Sequence, residues 1–247
     1  MTPLLSLEAM LPRLSASPWI TPLRIPLGWL LPPRCGGCRR LGDWLCESCQ
    51  RLLRRLQEPL CPRCGCELEF ESANCGCRDR LRALTGARSA AAYEGPLERA
   101  IHRFKYEGWR CLAPTLSNLI AERLALDGLS VGLLLSVPLH PSRLRHRGYN
   151  QAELLARELR RQLELPGNQG WLQRLRDTPP QVGLDRLHRQ ANVARAFGWR
   201  GPPLDGQRVL LVDDVATTCS TLEACARVLR AVGAGEVRGV TVARVSV

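Results

Sequence analysis

The clearest pattern of apolar and polar positions lies in residues 207–233, near the C-terminus. Four consecutive apolar residues, 209–212, are typical of a parallel strand that is buried on both faces. We expect this strand to end at the two acids that follow, Asp213 and Asp214. A hydroxyl-rich turn then leads into apolar residues at helical spacing, and Gly233 is a suitable helix stop. The segment therefore predicts a strand, a polar loop and a helix in succession.

The same patterns predict the rest of an α/β fold. Apolar runs indicate strands, amphipathic spacing indicates helices, and Asn150 is a suitable helix N-cap. The fold class is α/β, a parallel sheet flanked by helices, in which loops at the carboxyl ends of the strands meet along one edge. The other elements that we expect are strands at 87–93, 132–137 and 237–245 and helices at 96–105, 112–126 and 150–163.

The cysteines indicate a small region ahead of this domain. Nine of the twelve lie between Cys35 and Cys77. A C-x-x-C pair brings two thiolates onto one tetrahedral ion, and a segment this short needs metal to fold. We predict a double zinc ribbon with one or two ions, grouped in sequence order as Cys35, Cys38, Cys46 and Cys49 and as Cys61, Cys64, Cys75 and Cys77. An interleaved grouping stays open. The last pair, C-G-C, is one residue shorter than the usual C-x-x-C, so the second site is either imperfect or unoccupied, or it uses Cys66 as a spare ligand.

The N-terminal segment bears on the location of the protein. Residues 1–30 are apolar but broken by five prolines, and they lack the basic start of a signal peptide. We expect a flexible tail, or sequence upstream of the true start with Met10 as initiator. No apolar run approaches the roughly 20 residues that span a bilayer. We therefore expect a cytoplasmic protein whose cysteines bind metal rather than form disulfides.

The charge of the chain indicates the class of its partners. The net charge is +12 with a pI near 9.6, and Lys105 is the only lysine. Arginine suits bidentate recognition of phosphate groups. We expect a polyanionic partner, either nucleic acid or a phosphorylated small molecule. For any single arginine outside the motifs, a solvated basic surface is the alternative.

The turn after the predicted C-terminal strand has the composition of a phosphate site. The first amides of a helix and small hydroxyl side chains bind anions. Asp213 and Asp214 lie beside them, where carboxylates can accept hydrogen bonds from ribose hydroxyls or face a phosphate-bound Mg²⁺. The alternative is that Asp214, Thr217 or Thr218 merely caps the helix, while Asp213 is a solvated strand end.

The string VLLVDDVATTCST resembles the signature that binds phosphoribosyl pyrophosphate (PRPP) in type I phosphoribosyltransferases. Cys219 stands where that family has glycine, and a side chain there costs roughly 1–2 kcal/mol if the backbone is left-handed. A thiol at a helix N-terminus is expected to have a lowered pKa, which makes Cys219 a candidate reactive group, but we favour the interpretation that it is a small packing residue. The resemblance implies that PRPP is bound by Asp213, Asp214, Val215, Ala216, Thr217, Thr218, Cys219, Ser220 and Thr221.

Two arginine-rich segments are expected to face this site. One is a loop in residues 137–151, in which Arg143 and Arg147 are our candidates for binding pyrophosphate. An ordinary basic turn is the alternative. The other, residues 175–197, is too polar for a core and too long for a simple connector, as lids tend to be. The residues expected to close over pyrophosphate are Thr178, Gln181, Arg186 and Arg189.

Several motifs taken together resemble the ComF family. They are CxxC, CxxC and CPxCG, then F-K-Y-x-G, then V-P-L-x(3)-R-x(3)-R-G-Y-N-Q, then T-x-x-Q-x-x-L-x(4)-R-x-x-N-V, and finally V-D-D-V-x-T-T. The resemblance implies a double zinc ribbon at residues 31–84 fused to a phosphoribosyltransferase domain at 85–247, with structural zinc, and with Mg²⁺ bound together with PRPP. It also implies a role in DNA uptake during competence or in using DNA as a nutrient. The implied partners are a phosphoribosyl compound, single-stranded DNA and a competence helicase or translocase.

Two functional hypotheses follow from these patterns and resemblances. The first is an enzyme that displaces pyrophosphate from the anomeric carbon of PRPP, with Asp213, Asp214, Arg143 and Arg147 as catalytic residues. The second is a nucleic-acid-binding adaptor without catalysis, which uses the sugar-phosphate pocket for sensing or for contact with DNA.

Overall fold

A parallel sheet forms the centre of the protein. The computed structural model describes residues 32–70, 75–128, 131–168, 170–176 and 196–245. Its strands are β1 (Gly86–Ala92), β2 (Leu133–Ser136), β3 (Leu172–Arg174), β4 (Phe197–Trp199), β5 (Arg208–Ala216) and β6 (Glu236–Arg244). Four of them form a parallel sheet in the order β1, β6, β5, β2, while β3 and β4 pair antiparallel in a separate two-stranded sheet. The predicted parallel sheet is confirmed, and the two-stranded sheet is an addition that the sequence patterns do not predict.

Helices flank the sheet as expected. They are α1 (Glu47–Arg51), α2 (Gly95–Tyr106), α3 (Ala113–Asp127), α4 (Pro141–Arg147), α5 (Gln151–Leu163) and α6 (Ser220–Ala231). Asn150 caps α5 as predicted, because its side chain accepts a hydrogen bond from the Ala152 amide at 3.1 Å. Within the described ranges, no helix combines the length and the apolar character that crossing a bilayer requires.

The segment predicted as a basic loop contains the short helix α4 instead. Pro141 suits the first helical position because its φ is already fixed near the helical value. His140 caps the helix by accepting a hydrogen bond from the Ser142 amide at 3.3 Å, and Gly148 ends it with a φ of +78°. Arg143 and Arg147 therefore lie one turn apart on the same helix.

The acid pair lies inside β5 rather than at its end. β5 continues to Ala216, and Asp213 is paired with Thr241 of β6. On the other side of β5, β2 stops at Ser136, opposite Val212. Pairing with the longer β6 keeps the chain extended past the acids, so the prediction that the strand ends there is wrong. The acids begin where β5 loses one of its two neighbours.

The cysteine-rich region packs on both faces of the sheet. The first half of this region packs with α2 and α3 in a core that includes Leu45 and Leu210. The second half packs with α6 in a core that includes Leu81 and Leu211. Successive residues of a strand point to opposite faces, so the two halves cover opposite sides of β5. The cysteine-rich region is thus part of the two main cores of the protein.

Each half of this region is attached to the α/β domain by hydrogen bonds that its backbone carbonyl oxygens accept. The Arg99 side chain of α2 donates to the Gly37 carbonyl oxygen at 2.8 Å. The Ala87 amide of β1 donates to the Arg63 carbonyl oxygen at 2.8 Å. Next to that second contact, a Cβ at Gly65 would lie far inside contact distance of the Ala87 carbonyl oxygen. Only glycine allows so close an approach of the two backbones.

We predict that Gly65→Ala strongly destabilises the protein. Gly65 has a φ of +71°, and the new methyl group would also push the second half of the cysteine-rich region off β1. Gly108→Ala is the matched control, because Gly108 has a φ of +74° but open space around it. Both substitutions lower the free energy of unfolding by roughly 1 kcal/mol, because each places a side chain at a left-handed backbone position. Denaturant unfolding should show a further loss of about 1–3 kcal/mol for Gly65→Ala alone, and equal losses in the two variants would contradict the packing argument.

Candidate functional site

The acid pair is held in place by its own backbone and by a lysine. Asp213 Oδ1 accepts a hydrogen bond from the Asp214 amide at 2.9 Å. Asp214 is buried, and its Oδ1 lies 2.8 Å from the Nζ of Lys105. Its other oxygen, Oδ2, is buried without a hydrogen-bond partner among the described residues. A buried carboxylate oxygen without a partner is costly, so this atom marks a position for a ligand group.

Burial and mutual repulsion shift the protonation of this site. Burial raises the pKa of Asp213, and the negative charge of Asp214 raises it further, to about 7. The positive charges of Lys105 and Arg174 offset this shift only in part. Burial alone would lower the pKa of Lys105, but the charge and hydrogen bond of Asp214 raise it above its ordinary value. Lys105 therefore stays positively charged at neutral pH.

Two of the motifs noted in the sequence meet beside the acid pair. The Tyr149 hydroxyl, from R-G-Y-N-Q, donates a hydrogen bond to the Phe104 carbonyl oxygen in F-K-Y-x-G. Arg110 lies over the Tyr149 ring, with its Cζ 4.6 Å from the ring centroid. Arg147 lies in the same way over Tyr106, at 5.0 Å. The arginine helix α4 is therefore fixed against the end of α2 that carries the lysine of the acid site.

The hydroxyl-rich turn follows β5 directly. Val215 and Ala216 are the last residues of the strand, and Cys219 is the N-cap of α6 without a side-chain capping hydrogen bond. The alternative that Asp214, Thr217 or Thr218 caps the helix is therefore wrong. The turn instead presents hydroxyl groups that are exposed or partly exposed, on Thr217, Thr218, Ser220 and Thr221.

Cys219 adopts the conformation that glycine would favour. Its φ is +60°, in the left-handed region, where a side chain is disfavoured. Its thiol is buried, 3.4 Å from an Arg244 nitrogen and 3.7 Å from the Cys64 carbonyl oxygen. Burial raises the pKa of the Cys219 thiol. The expected lowering of the pKa is wrong, and the favoured interpretation of Cys219 as a packing residue agrees with its burial.

Two groups of thiols are arranged to bind tetrahedral metal ions. Within each group the four sulfur atoms lie within 4.8 Å of one another. Tetrahedral zinc–thiolate bonds of about 2.3 Å place neighbouring sulfurs about 3.8 Å apart. The Cys38–Cys46 and Cys64–Cys75 sulfur distances, both 3.6 Å, agree with that value. Among the described residues, the groups follow the predicted sequence order: Cys35, Cys38, Cys46 and Cys49 form the first cysteine group, and Cys61, Cys64, Cys75 and Cys77 form the second.

The structure adds site residues that the sequence patterns do not single out. Lys105 contacts Asp214, and the charge of Arg174, at the end of β3, acts on Asp213. The F-K-Y-x-G motif and the uniqueness of Lys105 in the chain were the available signals for the lysine. The residues proposed for the lid lie outside the described residues, so those assignments stay predictions: Thr178, Gln181, Arg186 and Arg189.

Comparisons with known proteins define the class to which this site belongs. The sequence model of the phosphoribosyl transferase domain family matches residues 152–246, which include the acid pair and the hydroxyl-rich turn. The α/β domain is therefore a phosphoribosyl transferase domain in its fold.

Similarity over most of the chain identifies the family. Competence protein F of Haemophilus influenzae is 33% identical, over 83% of this chain and 94% of that protein. The DNA utilization protein YhgH of Escherichia coli O157:H7 is 32% identical, over 84% of this chain and 95% of that protein. Competence protein ComFC of Bacillus subtilis is 28% identical, over 75% of this chain and 77% of that protein. The chain belongs to the ComF family.

We predict two zinc ions per chain, bound in sequence order. The double variant Cys38→Ser, Cys49→Ser should lose one ion, because both thiols belong to the first cysteine group. An interleaved arrangement would lose both ions, since each would then lack a ligand. Metal analysis of purified protein checks this. Cys111→Ser is the control and should keep two ions, because Cys111 lies outside both groups.

We also predict a pH-dependent stability difference between the wild type and Asp213→Asn. The folded protein holds a proton on Asp213 up to a pKa of about 7, whereas the unfolded chain releases it near its ordinary value of 3.8. Between these values the wild type therefore loses stability as pH rises. Asp213→Asn lacks this titration, so its stability relative to the wild type should increase from about pH 5 to pH 7 and then level off. Thermal melts across pH 5–8 check this, and a constant difference would contradict it.

Proposed function

We propose that this protein binds PRPP together with Mg²⁺ and transfers or releases its phosphoribosyl group. The observation that carries the proposal is the acid pair, with the hydroxyl-rich turn of α6 directly after it in the chain. Carboxylates suit the two ribose hydroxyls, and helix amides with small hydroxyl groups suit the 5-phosphate. The match to the phosphoribosyl transferase domain family supports the same assignment.

Each group of the ligand has candidate partners on the chain. We assign the two ribose hydroxyls to Asp213 and Asp214. We assign pyrophosphate to Arg143 and Arg147 of α4, helped by Arg186 and Arg189 from the segment between β3 and β4. We assign the 5-phosphate to the turn and the start of α6, at Thr217, Thr218, Cys219, Ser220 and Thr221. Val215 and Ala216 complete the PRPP-binding segment as the last residues of β5.

The chemistry requires charge stabilisation more than proton transfer. As the bond from the anomeric carbon to the pyrophosphate oxygen breaks, positive charge develops on the sugar and negative charge on the leaving group. The carboxylates of Asp213 and Asp214 stabilise the positive charge on the sugar, and the α4 arginines stabilise the negative charge on pyrophosphate. Mg²⁺, when bound with PRPP, neutralises part of the diphosphate charge. A site formed by fixed charges of both signs needs little reorganisation during the reaction.

We place this activity in the handling of incoming DNA, in the reducing conditions of the cytoplasm. The relatives are named for competence and for DNA utilization. The net charge of +12 suits a polyanion, and we propose single-stranded DNA as that partner, with a competence helicase or translocase as a second one. Free thiols remain available as metal ligands in that compartment.

The second candidate function is a nucleic-acid-binding adaptor without catalysis. The observation that favours it is the strained Cys219 at the phosphate turn, since a side chain occupies the position where the related signature has glycine. The exposed Tyr106 ring beside Arg147 also suits contact with a nucleic acid. An adaptor would keep its affinity for DNA whether or not PRPP binds.

We predict that zinc-loaded protein binds PRPP only with Mg²⁺, and that Asp213→Asn with Asp214→Asn weakens this binding at least about tenfold. Each lost hydrogen bond to a charged group is worth roughly 1.5–3 kcal/mol. Calorimetric titration of PRPP with and without Mg²⁺ measures the effect. DNA affinity of the same variant, measured over a range of salt, is the control and should be unchanged. Wild-type protein that binds DNA but not PRPP would favour the adaptor.

A further inference from the structure

Lys105 and Asp214 form an ion pair that is largely shielded from water. Their side chains are only 17% and 5% exposed, and the ammonium lies 2.8 Å from Oδ1. Removing two charges from water costs several kcal/mol, which their mutual attraction does not reliably return. A buried ion pair is therefore weak evidence for a purely stabilising role. The surrounding groups indicate what other role this pair has.

Lys105 neutralises only part of the negative charge of the acid pair. Asp214 keeps one buried oxygen without a hydrogen-bond partner among the described residues. Asp213 adds a second carboxylate directly beside it, whose Oδ1 accepts a hydrogen bond from the neutral Asp214 amide. Two adjacent carboxylates with incomplete neutralisation are the kind of oxygen ligands that a divalent metal ion binds. The ammonium of Lys105 already contacts Asp214 Oδ1, one of the carboxylate oxygens that such an ion would need as ligands.

We propose that Lys105 is an internal cation that keeps the acid pair from binding a divalent metal ion by itself, so that the metal enters only together with a diphosphate ligand. The identity of that ligand rests on the proposed function. A diphosphate carries several negative charges, which attract the ammonium group away from Asp214. The freed carboxylate then accepts the ribose hydroxyls or the metal-bound water that arrives with the ligand. Lys105 is thus a positioning residue that couples the two binding events.

The backbone beside Lys105 is held in place, whereas its side chain is long and flexible. The Phe104 carbonyl oxygen, one residue earlier, accepts a hydrogen bond from the Tyr149 hydroxyl. The ammonium is carried on a flexible four-carbon stem. Tyr106, the next residue, is 65% exposed and lies against Arg147. Arg147 thus brings a second positive charge to the end of α2 that carries Lys105.

Metal binding without PRPP separates this role from an ordinary structural ion pair. We expect zinc-loaded wild-type protein to bind Mn²⁺ weakly in calorimetric titration. Lys105→Met should bind Mn²⁺ roughly tenfold or more tightly, because the two carboxylates no longer face a competing positive charge. Lys105→Arg is the matched control and should bind as weakly as the wild type. Adding Asp214→Asn to Lys105→Met should abolish the gain.

Two results would overturn the inference. One is Lys105→Met protein, with normal zinc content and circular dichroism, that binds Mn²⁺ no more tightly than the wild type. The other is a gain that survives Asp214→Asn, which would place the metal elsewhere. Failure of wild-type protein to bind PRPP would contradict the proposed function only, because the Mn²⁺ comparison does not involve PRPP.

A measurement on protein that keeps Lys105 makes the inference testable if Lys105→Met does not fold. Reductive methylation with ¹³C-formaldehyde labels Lys105 and the N-terminal amine, since the chain has no other lysine. The lysine signal is identified by its loss in Lys105→Arg. We expect Mg²⁺ alone to leave this signal unchanged and magnesium pyrophosphate to shift it. A shift with Mg²⁺ alone, or none when calorimetry shows that pyrophosphate binds, would contradict the internal-cation role.

Discussion

The candidate site depends on one strand whose last residues are paired on only one side. β5 runs past the end of β2, which stops opposite Val212, while β6 continues alongside it to Ala216. A strand paired on both sides has a neighbour along each edge, whereas β5 has no strand neighbour on one edge from Asp213 onward among the described residues. The two acids are therefore held in place by β6 alone. Side chains on a strand that is fixed by its neighbour are positioned precisely, which a binding site requires.

The cysteine-rich region and the phosphate turn are physically connected. Arg244, at the end of β6, donates a hydrogen bond to the Cys64 carbonyl oxygen at 2.6 Å and contacts the Cys219 sulfur at 3.4 Å. One buried guanidinium group thus joins the second cysteine group to the N-cap of α6. This contact also gives a physical account of the thiol at a left-handed position. The buried packing of the Cys219 side chain offsets part of the backbone strain that glycine would avoid.

The elements that local patterns specify were predicted well. The strand at 209–212, the cap at Asn150 and the two groups of four cysteines all follow from short-range spacing, and the structure confirms them. The helix at Pro141–Arg147 was missed because its high arginine content lacks an apolar face. The end of β5 was misplaced because pairing with β6, a non-local interaction, outweighed the polar character of the acids.

The sequence by itself determined the class of fold, the two groups of cysteines that are arranged to bind metal, and the position of the acid pair, because each is encoded in the order and spacing of nearby residues. The tertiary structure decided which cation faces Asp214, since Lys105 lies more than a hundred positions away along the chain. It also decided that the Cys219 thiol is buried against Arg244 and the second cysteine group. Such contacts depend on how distant segments pack, and local spacing carries no information about them.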